Sequence, residues 1–123
     1  MVKIGRISLD RKDLTKFFSP NEVLILELLW ERRYLTSPDI QKKCPDLSLA
    51  CVAGTLDRLV KSGFVTRKID DANDRLRYIY SPAGNKEEIG LRISERVMES
   101  LAETFGTSVI SALGEQMRKR GQK

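Results

Sequence analysis

Leu59-Val60-Lys61-Ser62-Gly63-Phe64-Val65-Thr66-Arg67-Lys68-Ile69 decides the fold, because a helical pattern runs into a glycine terminator and then into strand-like alternation. Upstream, Val52, Leu56, Leu59 and Val60 recur at spacings of three and four, giving one apolar helix face that Ser48 caps. Downstream, Asp70-Asp71-Ala72-Asn73-Asp74-Arg75 is rich in turn formers, and Leu76-Arg77-Tyr78-Ile79-Tyr80 supplies a second strand. Further back, Ser37-Pro38-Asp39 opens a short helix carrying Ile40, which Cys44-Pro45 closes because proline disfavours helix in the residue before it. Ser19-Pro20-Asn21-Glu22 opens the first helix as a capping box with proline where a missing NH costs nothing. Val23, Leu24, Ile25, Leu26, Leu28, Leu29 and Trp30 leave that helix only a narrow strip of Glu22, Glu27 and Glu31, which predicts burial on nearly all sides. Three helices followed by a hairpin make a winged helix-turn-helix: mainly α with a small β-hairpin wing.

Beyond Pro82 the strand pattern stops. Ile89, Ile93, Val97, Leu101 and Phe105 follow at steps of four, and a second piece beginning near Thr107 or Ser108 carries Val109, Ile110, Leu113 and Met117 on one face. The expected division is residues 1–82 as a winged helix-turn-helix with an N-terminal arm, and residues 83–123 as a helical dimerisation extension. With the winged part expected to close its own core, Ile89, Ile93, Val97, Leu101, Phe105, Val109, Ile110 and Leu113 are expected to meet the same stripe of a second copy. The alternative is that they cover the first helix within one chain. The arm, Met1 to Lys16, pairs Ile4, Ile7 and Leu9 with Arg6, Arg11, Lys12 and Lys16, and fits either a basic arm on DNA or a flap on the dimer.

Charge points the same way. The 123 residues suit one domain with an appendage, and 22 Lys+Arg against 17 Asp+Glu leave a net +5. Of that excess, +4 lies at or before Arg77 and +1 after it, so the positive charge travels with the helix-turn-helix and favours a polyanionic partner. Ser48, Ala50, Thr55 and Arg58 are candidates for a DNA groove and Lys61 for a phosphate. Arg58 fits equally a brace for the wing. Arg67, Lys68, Arg75 and Arg77 are the cations of the hairpin, with Arg67, Arg75 and Arg77 expected on its outer face to contact phosphates or enter a minor groove.

The pieces in this order resemble the BlaI/MecI/CopY group, the penicillinase-repressor-like winged-helix regulators. The resemblance rests on Ser19-Pro20-Asn21-Glu22, Leu28-Leu29-Trp30, Cys51-Val52, Leu56-Asp57-Arg58-Leu59-Val60-Lys61-Ser62-Gly63-Phe64-Val65 and Tyr78-Ile79-Tyr80-Ser81-Pro82. It spans roughly Phe18 to Gly114 and continues through Leu101-Ala102-Glu103-Thr104-Phe105-Gly106-Thr107-Ser108, similar to the family's break between two C-terminal helices. It implies a dimeric repressor that lays its recognition helices into the major grooves of a palindromic operator. Cys51 stands where family members often carry threonine and so joins the candidate DNA-binding set. Ala53 and Gly54 replace longer polar groups, and Gly54 costs its helix about 1 kcal/mol relative to alanine, which fits a close backbone approach. Thr104-Phe105 does not reproduce the asparagine-phenylalanine cut site of the penicillinase repressors, and the copper branch's C-terminal cysteine cluster is absent. The inducing signal is therefore not legible.

Other classes fit less well. The chain has no histidine, glycine-rich phosphate loop, metal-spaced carboxylate pair or nucleophile beside a base, so neither an enzyme nor a metal or other cofactor is expected. Cys44 and Cys51 read as reduced packing residues, with a thiol switch as the alternative. No apolar run approaches the roughly 20 residues a bilayer requires, and no secretory signal is visible, so the expected location is cytoplasmic. The expected partners are double-stranded DNA and a second copy of the chain. Two competing functions remain: a winged-helix protein-interaction module, and a MarR-like ligand-responsive regulator suggested by Asp74-Arg75 and Ser81-Pro82-Ala83-Gly84.

Overall fold

The computed structural model of the chain describes residues 4–70 and 77–121. Its elements run α1 (Pro20–Arg32), α2 (Ser37–Lys43), α3 (Leu49–Lys61), β1 (Val65–Asp70), β2 (Arg77–Pro82), α4 (Lys86–Phe105) and α5 (Thr107–Gly121), preceded by a 3-10 turn at Leu14–Lys16. This is a winged helix-turn-helix with two further helices. Most of the expected wing loop, including Arg75, and the first residue of the expected second strand, Leu76, lie outside the described residues.

Capping chemistry sets the helix starts. At α1, the Ser19 hydroxyl accepts from the Glu22 NH at 3.3 Å while the Glu22 carboxylate accepts from the Ser19 NH at 2.8 Å. At α2 the cap is Thr36 rather than Ser37, which corrects the expectation by one residue. A capping box needs its carboxylate three residues after the cap, and Asp39 stands three after Thr36, with the two reciprocal bonds at 3.1 and 3.3 Å. The Thr36 NH holds the Asp39 carboxyl below its ordinary value, with the Thr36 hydroxyl adding to the effect. Ser48 caps α3 through the Cys51 NH at 3.0 Å, and Asn85 with Glu88 boxes the start of α4. Gly63 takes φ 88°, letting the chain leave α3 and return the Phe64 NH to the Leu59 carbonyl at 3.0 Å.

The core gathers Ile25, Leu26 and Leu29 of α1, Ile40 of α2, Val52, Leu56 and Leu59 of α3, then Phe64, Val65 and Tyr80 of the hairpin. Phe18 meets Phe64 edge to face, ring centroids 4.8 Å apart. Trp30 donates from its indole nitrogen to the Gly84 carbonyl at 3.0 Å, fastening α1 to the turn before α4. Two bonds, Leu35 NH to Tyr80 carbonyl at 3.0 Å and the reverse at 2.8 Å, tie the α1–α2 connection to β2. That bridge was not legible from a stretch too short to show alternation.

Two expectations need correction. α1 is not buried on nearly all sides, because Leu24 is 48% exposed: a domain this small has no layer to cover that face. Ile89 and Ile93 are buried in the same core as α1 and α3, so the winged part does not close without the first half of α4. Those two residues are thereby withdrawn from the interchain stripe. Among the described residues, no helix is long and apolar enough to cross a membrane.

Candidate nucleic-acid interface

The inward face of α3 is Val52, Thr55, Leu56 and Leu59, all with no exposed surface. Thr55 was expected in the groove. It stands three residues from Val52 and four from Leu59, which turns it inward, and its hydroxyl is satisfied by donating to the Cys51 carbonyl at 2.8 Å. Ser48, Ala50, Ala53 and Lys61 are exposed, and Gly54 is half-buried between them and Arg58. The exposed residues of α3 are thus mostly small, with Leu49 at its start and Arg58 and Lys61 toward its end as the larger ones. An added side-chain carbon at Gly54 would meet only the Arg58 guanidinium at 3.9 Å, so packing within the chain does not require glycine there.

Among the described residues Arg58 makes no hydrogen bond or ion pair to the wing. Its guanidinium donates back to the Thr55 hydroxyl at 3.1 Å, on the flank of α3 that Cys51 shares, and Asn21 at the start of α1 reaches the Cys51 sulfur at 3.5 Å. Cys51 and Cys44 are both free thiols and half-buried. The wing is held from the other flank. Asp57 takes Lys61 at 3.0 Å and Arg67 of β1 at 3.6 Å, and the Arg67 guanidinium sits over the Tyr78 ring, 4.5 Å from its centroid. The Lys61 ammonium is the main reason the Asp57 carboxyl stays below its ordinary value, and Arg67 adds to it. Asp57 and Tyr78 were not among the expected site residues, although the four-residue step from Asp57 to Lys61 was visible.

Register divides the wing's cations. Arg67 pairs with Tyr80 and Ile69 with Tyr78, so these side chains share the face turned toward α3. Lys68 and Arg77 lie on the opposite face, beside Ile79 and Asp70, and Arg77 is held by the Asp70 carboxylate at 3.0 Å. The expectation that Arg67 and Arg77 share one outer face therefore fails: strand side chains alternate, and the pairing puts these two residues on different sides. Arg75 lies outside the described residues.

The long apolar stripe of the C-terminal helices is only partly covered. Val97 packs against the core and Leu101 is half-buried, but Phe105 is 64% exposed. Gly106, at φ 93°, ends α4 and separates it from α5, which begins at Thr107 and touches it. α5 buries none of its residues: Val109 and Met117 are exposed, and Ile110 and Leu113 half-buried.

A family model described as penicillinase repressor matches residues 18–121. The chain belongs to the penicillinase repressor family. The family is one of transcriptional regulators, and the match begins at Phe18, leaving the arm outside it. None of the curated proteins searched matches the chain. Among solved structures, a possible transcriptional regulator from Methanosarcina mazei superposes with TM-score 0.59 at 15% identity, over 76% of this chain and 78% of that one. A structure of MarR gives TM-score 0.51 at 23% identity, over 85% and 77%. ZitR of Lactococcus lactis gives 0.50 at 20%, over 91% and 81%. At such identities these three support the winged-helix fold, while the family match carries the assignment as a DNA-binding regulator.

Proposed function

We propose that the protein is a homodimeric repressor that binds an inverted-repeat operator in the cytoplasm. The observation that carries this reading is the outer strip of α3: mostly small exposed residues beside Leu49 in its first turns, Lys61 at its end, and Arg67 of the wing held beside it through Asp57. Ser48, Ala50 and Ala53 present little bulk, so the α3 backbone approaches the base edges closely and reads them by shape and by the Ser48 hydroxyl. Lys61 and Arg67 neutralise phosphates on entering the complex, and Lys68 and Arg77 do so from the wing's other face. Cys51 and Arg58 border the groove on the α1 flank. Leu101, Phe105, Val109, Ile110 and Leu113 supply the surface that a second copy covers, with Val97 at its edge. The regulatory unit is then residues 1–82 completed by the first half of α4, and the remainder of residues 83–123 is the dimer contact.

Selection of the purified protein against a randomised duplex library tests this. Enrichment of an inverted repeat with half-sites about one helical turn apart supports the dimeric operator reading. Binding without a motif would mark a nonspecific chromosome-associated protein, and no binding at all would favour a protein-interaction module. Arg67→Ala should weaken binding to every sequence and flatten the salt dependence by about one phosphate per subunit; an unchanged slope removes Arg67 from the contact set.

A further inference from the structure

From Ile4 onward, the arm that precedes the family match stays against the domain. The Ser8 NH donates to the Lys16 carbonyl at 2.8 Å and the Lys16 ammonium reaches the Leu9 carbonyl at 3.4 Å, closing a loop that Leu14 and Phe17 hold against the core. Between this loop, the start of α1 and the end of α3 lies an open cleft of about 540 Å³. Arg6, Arg11, Lys16, Arg58 and Lys61 line it, against the single carboxylate of Glu22. Glu22 already receives the Ser19 NH. Among the described residues no carboxylate lies within ion-pair distance of Arg6, Arg11 or Arg58, and only Lys61 has such a partner, in Asp57. Five cations from two segments, the arm and the end of α3, outnumber the carboxylate of the cleft, and an anion seated there would offset their mutual repulsion.

The cleft's position suggests where that anion comes from. Successive helical residues are about 100° apart, so Asp57, which holds the wing, and Arg58, which lines the cleft, look out from the two flanks of the exposed strip, and Lys61 stands between them. A helix in a major groove has a phosphate strand on each side. The wing serves one. We propose that the arm cleft is a phosphate-binding site that grips the backbone on the side of α3 away from the wing, with Arg6 and Arg11 as its added contacts. This rests on the DNA-binding reading above. Its volume falls within the roughly 300–1,000 Å³ of small-molecule sites, so a free phosphorylated compound is the other source of the same group.

The test uses the full chain, the selected duplex and the variant Arg6→Ala/Arg11→Ala. Both residues are exposed, and a melting curve checks that the variant folds. Loss of two contacts should lower the salt slope by about 1.8 per subunit, so that the drop in affinity between 50 and 200 mM salt becomes ~10-fold shallower for each subunit bound and ~100-fold shallower for the dimer, with half-site preference unchanged. A second arm titrates the DNA-free protein with inorganic phosphate at constant ionic strength and follows the melting temperature. A shallower slope supports the backbone site. An unchanged slope, together with phosphate stabilisation that the variant loses, overturns the backbone source and leaves a site for free phosphate. An unchanged slope with no phosphate effect overturns the proposal entirely. If the unaltered protein binds no duplex, the operator reading fails, and the phosphate titration alone decides the cleft.

Discussion

α3 and α4 carry the same kind of apolar stripe, yet α3 hides Val52, Leu56 and Leu59 and packs Val60 against the core, while α4 hides Ile89 and Ile93 and leaves Phe105 in solvent. A stripe in a sequence says that a face is to be covered. It does not say by what. Along α3 the cover is a single core; along α4 that core covers Ile89 and Ile93 and stops short of Phe105, the end that the proposed dimer would cover.

The sharpest way to break the comparison is to cut the α4 stripe at its two ends. Ile89→Ala should cost about 2–5 kcal/mol of unfolding free energy, since its side chain is buried with α1 and α3. Leu101→Asp with Phe105→Asp should cost the folded monomer little in stability but abolish self-association in sedimentation and weaken operator binding. A large loss of monomer stability in that pair, or tight operator binding by a verified monomer, would contradict the division of α4 into two roles. Gly54→Ala sharpens the α3 side: it should raise stability by about 1 kcal/mol, because the site has room within the chain, while reducing DNA affinity through crowding at the backbone. If affinity is unchanged, close approach at Gly54 is excluded. Trp30→Phe removes the indole bond to Gly84 where α1 meets the start of α4, and should cost about 1 kcal/mol in chemical denaturation. The smallest effect concerns pH. Asp39 titrates below its ordinary value in the folded chain, so its share of stability is present above the unfolded value of 3.8 and is lost as pH falls through the lower folded value. Asp39→Asn should therefore flatten the acid end of the stability profile slightly, and an unaltered profile would show that the cap contributes nothing there.

Much of the fold was legible because its signals are local. Caps, prolines, Gly63 and stripes at three and four residues each fix a boundary without knowledge of the rest of the chain. The candidate interface was less legible. Thr55 looked available for DNA because it is polar, although its spacing from Val52 and Leu59 already placed it inward; a threonine satisfies its own hydroxyl on the helix backbone and so tolerates a core position. Whether Arg67 and Arg77 share a face depends on hairpin register, which is set across the two strands and not within either. The arm's cations are plain in the sequence, but their meeting with Arg58 and Lys61 depends on a loop closed by Ser8 and Lys16 that no motif announces.

α4 is 20 residues long without a break, a rod of about 30 Å. Its first turns are set in the same core that seats α3, and in the proposed dimer its last turns are gripped by the other subunit. In that dimer such a rod would work as a ruler. The gap between half-sites on the operator is then written in the length of one helix, and adding a residue near its middle would swing one end by about 100° relative to the other and leave the two reading heads out of phase with the double helix.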